Sequence, residues 1–164
     1  MVQILAFSLG ELRLALPAAV VREVTRAVAI TRLPKAPAIV EGVINVRGQL
    51  VPALDLRRRF GLPANPISLQ QHLIIAHADA RLVALRVDRV LDLATVQDDD
   101  IETATRVVPG AEYAEGIAKL SDGLLVIHDL ARFLSLEEGG QLDAATRGAD
   151  AAPTTSQRKA RRPR

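Results

Sequence analysis

Gly42-Val43-Ile44-Asn45-Val46-Arg47-Gly48-Gln49-Leu50-Val51-Pro52-Ala53-Leu54-Asp55-Leu56-Arg57 reads as a hairpin followed by a short helix. Two apolar runs, Gly42 to Val46 and Gln49 to Leu54, flank Arg47-Gly48. Glycine at such a turn supplies the left-handed geometry that tight hairpins favour. An arginine there presents a permanently charged, bidentate donor at the tip. Read from the residues alone, Arg47 is equally well a solvated turn residue between shaping glycines. Pro52 cannot donate to a ladder, which predicts an edge or a bulge at that point of the returning strand. Asp55 can cap a helix over Leu56 to Phe60, whose Leu56 and Phe60 stand four apart on one face.

Outward from this stretch the chain reads as short strands. Val2 to Ser8 and Leu12 to Leu16 flank a turn at Gly10, and Leu73 to Ala76 is a buried apolar run. Arg81 to Asp88 alternates, with Val83, Leu85 and Val87 on one face and Arg86 and Asp88 on the other, the pattern of a half-buried strand. Asp129 can cap a second short helix over Leu130 to Leu136. The order of elements repeats. At a shift of about 74, Glu41-Gly42-Val43 falls on Glu115-Gly116-Ile117 and Asp55-Leu56 on Asp129-Leu130; at about 69, Ala15-Leu16 falls on Ala84-Leu85 and Glu23-Val24 on Asp92-Leu93. These matches predict two similar halves, 1–62 and 69–138, joined around Pro63-Ala64-Asn65-Pro66. Each has about five strands, few enough to close as a small barrel, and the two should share apolar surface.

Composition bounds the rest. The 164 residues include no cysteine, which excludes disulfide scaffolds, thiolate metal sites and cysteine nucleophiles. Hydrophobic residues make up 49% but aromatics only 2%, so the core is aliphatic, and the stacking platforms of single-strand binders are lacking. Six of the 21 Lys and Arg lie in residues 139–164 against two Asp. The pI of about 9.5 is therefore a property of the tail, and the body has no excess cation to attract phosphate backbones. With no apolar period after Gly139-Gly140, a disordered basic tail is expected over 139–164. Neither a signal peptide nor a membrane span is visible, and a cytoplasmic location with no direct membrane insertion follows as the expectation.

Little in the chain is built for chemistry. His72, His77 and His128 show no metal-ligand spacing, and Asp98-Asp99-Asp100 lacks the glycine and terminal glutamate of a calcium loop. No phosphate loop, dinucleotide fingerprint or nucleophile elbow occurs. The expectation is a protein with no catalytic residues, no cofactor, no metal and no small-molecule substrate.

The Gly42–Arg57 stretch resembles the signature of the CheW family, the adaptor of bacterial chemosensory arrays. Its Asn45-x-Arg47-Gly48 segment, Pro52 and Asp55-Leu56-Arg57 carry the resemblance most specifically. Phe7-Ser8-Leu9-Gly10 resembles the family's opening hairpin, Val21-Arg22-Glu23-Val24 its third strand, Leu85 to Val90 its Val-Asp-x-Val strand, and Gly116-Ile117-Ala118 with Leu124 to Leu134 its closing hairpin and helix. The similarity spans about residues 3 to 136, within a CheW-like domain expected over 1–138. It implies a mainly β fold of two five-stranded SH3-like barrels packed around a shared hydrophobic core, with short helices at strand ends. It also implies a non-catalytic adaptor that binds the cytoplasmic tip of methyl-accepting chemoreceptors and the regulatory domain of a CheA-type histidine kinase, recruited to membrane-associated receptor arrays. By position, Val21, Glu23, Gly42 and Arg47 match family positions implicated in receptor coupling, with Asn45 and Gly48 in the same motif. Two other readings stay open: an adaptor of a related pathway controlling surface motility or a second messenger, and a small barrel protein that binds nucleic acid through its basic tail.

Overall fold

The computed structural model describes residues 1–102, 114–120, 123–130 and 140–145. Among the described residues the strands are β1 (Val2–Leu9), β2 (Leu12–Pro17), β3 (Val21–Arg26), β4 (Val40–Val46), β5 (Gln49–Leu54), β6 (His72–Ala78), β7 (Arg81–Val87), β8 (Arg89–Val96), β9 (Ile101–Glu102), β10 (Ala114–Leu120) and β11 (Gly123–His128). They form two sheets, ordered β8-β1-β2-β11-β10-β9 and β3-β6-β7-β5-β4. One α-helical turn, α1 (Leu56–Arg59), follows β5, and the Asp55 side chain accepts a hydrogen bond from the Arg57 N–H as its cap. This is the mainly β fold of two SH3-like barrels that the family resemblance implies, with six strands rather than five in the first sheet.

Both sheets curl until their ends meet. After β3 the chain reaches Thr31, which exchanges two backbone hydrogen bonds with Val43 of β4, at 2.9 and 2.7 Å. In the other sheet β9 does the same for β10, pairing Glu102 with Ile117. Barrel closure of this kind satisfies edge groups that would otherwise be exposed.

The predicted repeat is present, but the halves are exchanged. The first sheet takes the β1–β2 hairpin from the N-terminal half and β8 to β11 from the C-terminal half; the second takes β3 to β5 and the β6–β7 hairpin. Residues 1–62 and 69–138 are thus not one barrel each. The equivalence extends to the irregularities. Arg22 is the extra residue where β3 passes β6, and Leu91 is the extra residue where β8 passes β1. Glu41 bulges opposite β5, and Glu115 opposite β11. Ala15 lies opposite Ile127 in one parallel pair, and Ala84 opposite Ala53 in the other.

Three apolar clusters explain the strand patterns. Ile4, Ala6, Ala15, Ala118 and Leu125 fill the first barrel, and Ile44, Val51, Leu73, Ile75 and Ala84 fill the second. Between them a shared core takes Phe7, Leu14 and Leu16 from one sheet and Leu54, Ile74 and Leu85 from the other. Strands at the junction are therefore buried on both faces, one inside a barrel and one against its neighbour. That corrects the reading of β7, whose six residues Leu82 to Val87 are all buried. Arg86 does not face solvent; it lies on the barrel side and is 6% exposed.

The expectation of an edge or a bulge at Pro52 is also corrected: the bulge of this pair falls at Glu41, beyond the proline. β5 is an interior strand between β7 and β4. Its pairing to β7 begins only at Ala53, so no ladder bond to β7 is demanded of the proline nitrogen.

A third correction concerns the chain end. Residues 140–145 are helical, and Leu142, fully buried, joins Ala145 in the shared core. The Asp143 carboxylate accepts from Arg81. The ordered body thus extends past the point where a disordered tail was expected. Leu142 and Ala145, three apart, are too short an apolar pattern to announce a helix in the sequence, yet with the Arg81 contact they dock the segment. Residues 146–164, and the Asp129-capped helix from 131 onward, lie outside the described residues.

Candidate functional site

The β4–β5 hairpin turns through two residues of positive φ, Arg47 at 51° and Gly48 at 86°. Val46 pairs with Gln49 across them. Two left-handed residues in a two-residue loop make a type I′ turn, the form that matches strand twist. Glycine adopts this without cost, whereas arginine gives up about 1 kcal/mol or more. Asn45 holds the turn: its side-chain oxygen accepts from the Gly48 N–H at 2.8 Å. The strained position is therefore occupied by the one side chain with a charge to present.

Arg47 reaches across the closed barrel. Its guanidinium lies 3.1 Å from the Glu23 carboxylate on β3, the opposite edge strand of the same sheet. The Arg47 side chain is 76% exposed and that of Glu23 27%. Ion pairs this open contribute at most about 1 kcal/mol to stability, so their charges remain available to a partner. Val24 beside Glu23, and Leu50 opposite Asn45 in the hairpin, are about 40% exposed and add aliphatic surface.

The other two predicted positions are not part of this ion pair. Val21, at the start of β3, is half-buried and packs against the shared core. Gly42 is at the far end of β4 from Arg47. A Cβ there would fall 2.1 Å from the Thr31 carbonyl oxygen, so its lack of a side chain is what lets the barrel close. The structure thus joins Glu23, Asn45, Arg47 and Gly48 in one place and gives Gly42 a packing role. Val24 and Leu50 were not singled out in sequence. Arg22 is the bulge residue that re-phases β3, and a bulge cannot be read from alternation alone.

A second polar cluster, at the other end of β4, was also missed. Arg86 donates to both carboxylate oxygens of Glu41, to the Asn65 carbonyl at 2.7 Å and to the Gln71 side chain at 3.1 Å. Burial works against the charged guanidinium, but hydrogen bonding and the charge of Glu41, with Asp55 and Asp88 further off, outweigh it and raise its pKa. Arg57, also buried, bonds the Pro63 carbonyl at 3.1 Å and Asp88 at 2.7 Å. Asp88 in turn accepts from the Gly10 N–H at 2.6 Å. Together these groups pin the 63–71 connection and the β1–β2 turn to α1 and β7.

Among the described residues no group of three or more His, Asp or Glu is placed to hold a metal ion. No described helix is long and apolar enough to cross a membrane. The described residues thus form twin SH3-like barrels with a charged hairpin tip on one rim.

The family model for the CheW-like domain matches residues 3–138, and the chain belongs to that family. It is similar to the chemotaxis protein CheW of Rhizobium meliloti (strain 1021), with 31% identity over 138 residues covering 83% of this chain and 89% of the relative. The chemotaxis protein CheW of Klebsiella aerogenes is 29% identical over 143 residues, 86% of each chain. The crystal structure of the scaffolding protein TtCheW from Thermoanaerobacter tengcongensis superposes with a TM-score of 0.77 at 32% identity, covering 84% of this chain and 90% of that one. The chain is accordingly a chemotaxis signalling adaptor.

Proposed function

We propose that this adaptor engages the cytoplasmic hairpin tip of a methyl-accepting chemoreceptor through the rim formed by Glu23 and Arg47, and links it to the regulatory domain of a CheA-type histidine kinase. The observation that carries the receptor site is the Arg47 turn: a strained, exposed arginine facing a glutamate on the opposite edge strand. A helical hairpin offers both charges and aliphatic ridges to such a rim. Val24 and Leu50 supply area, while Glu23 and Arg47 fix register and selectivity. Affinity on the order of micromolar, about −8 kcal/mol, suits an array built by multivalency. The adaptor carries no phosphoryl group and catalyses nothing. It acts through a difference in interaction energy with the two states of the kinase. Its place is at the membrane-associated receptor array, held there by the receptor.

Arg47→Asp tests the site. The variant keeps its circular dichroism spectrum and melting temperature but loses about 2 kcal/mol or more of binding to a receptor signalling domain. Wild-type affinity in the folded variant would reject the Arg47 rim.

A further inference from the structure

At the end of β4 remote from Arg47, a cleft of about 1070 Å³ opens between the 30–41 segment and the 64–67 connection. Leu33, Pro34, Pro37 and Ile67 contribute apolar walls. Ile67 is 46% exposed, and Leu69, two residues on, is 83% exposed. Exposed aliphatics on a proline-stiffened rim are a feature of binding grooves.

Charge decides what the cleft can take. Its carboxylates are already engaged. Glu41 is paired with Arg86 through both oxygens, and Asp55, 12% exposed in its side chain, caps α1. Of its three arginines Arg86 is held by Glu41, whereas Arg32 and Arg58 are more open. Arg32 is exposed and has no ion pair among the described residues. Arg58 is 64% exposed and stands 3.9 Å from the Asp55 carboxylate, the long limit of an ion pair. The accessible charge of the rim is therefore positive. This argues against the chain's own Arg-rich end as occupant. Apolar walls without a ring for stacking, and so few free cations, argue against nucleic acid.

We propose that this cleft docks an acidic segment of a protein partner, one that inserts an aliphatic side chain beside Ile67 and sets carboxylates against Arg32 and Arg58. The site is separate from the Arg47 rim. The seven residues of β4 that divide them span roughly 20 Å of strand, so the two surfaces can be occupied together.

The test uses the full chain and a fluorescent helical peptide with leucines on one face and glutamates on the other, beside a twin peptide with lysines for glutamates. The acidic peptide binds the wild type and prefers it to its lysine twin. Arg32→Glu with Arg58→Glu weakens it by about tenfold or more and turns the preference toward the lysine peptide. Ile67→Asp weakens the acidic peptide as well. Binding that survives the double reversal would locate the peptide elsewhere, on the basic end for instance, and overturn the proposal. So would equal binding of both peptides, or no binding. Self-association that the double reversal abolishes would make a second copy the occupant and also overturn it.

Discussion

A methyl group on Gly42 would sit 2.1 Å from the Thr31 carbonyl oxygen and 2.8 Å from the Ile30 side chain. Neither neighbour can retreat freely, because Thr31 is bonded to Val43 through both of its backbone groups. Gly42→Ala therefore costs about 1–3 kcal/mol of stability, seen as a lower guanidinium midpoint, and any lost binding scales with the unfolded fraction. An unchanged midpoint with lost binding would instead make Gly42 a contact residue. Asp88 gives a second prediction at this scale. Burial opposes its charge, but the Gly10 N–H, the hydrogen bond and charge of Arg57 and an Asn65 side-chain bond prevail, and its pKa lies below the usual 3.8. A carboxyl whose pKa is depressed on folding adds stability above its unfolded pKa and loses it as pH falls through the folded one. Asp88→Asn therefore destabilises at pH 7 and narrows the gap to wild type below about pH 4. Denaturant midpoints at the two pH values check this; a constant gap would show that Asp88 contributes nothing through its charge. Arg47, Asn45 and Gly48 were legible in sequence because turn chemistry is local. Arg86 and Glu41 were not, since their pairing joins residues 45 apart and alternation cannot tell a barrel interior from solvent.

At the scale of elements, the 140–145 helix has the least support of its own. Helices this short do not persist alone in water, so its order derives from Leu142 and Ala145 in the shared core and from Asp143 at Arg81. Leu142→Ala should cost about 2–4 kcal/mol, in the range of a buried leucine truncation. Ending the chain after Glu138 should lower the melting temperature by several degrees, as a loss of that size does in a domain this long. A truncated protein that melts with the full chain would show that the helix adds nothing to the fold. The strands themselves were largely legible. Turn residues at Gly10 and Arg47-Gly48 punctuate them, and apolar runs such as Leu73 to Ala76 fill them. β8 was not singled out: Arg89, Leu91, Asp92, Leu93 and Thr95 are exposed, and the bulge at Leu91 interrupts the alternation that would announce a strand.

Across the whole molecule, exchange of hairpins between the halves makes the two barrels one folding unit. β1 and β2 find their neighbours in β8 and β11, from the other half, and β6 and β7 find theirs in β3 and β5. The shared core then draws Phe7 and Leu16 against Ile74 and Leu85. A half cut free keeps its hairpins but loses the strands that flank them, and isolated hairpins are marginal in water. Local similarity could reveal the repeat but not the exchange, because the same periodic pattern is written whichever copy a strand pairs with. The consequence is measurable. Residues 1–68 and 69–164 expressed separately should each melt without a cooperative transition. Expressed together, they should associate and melt in one step, as a single domain does. A fragment 1–68 that unfolds cooperatively by itself would mean that β1 to β5 form a self-sufficient barrel, and the exchanged pairing would then not be what holds the fold together.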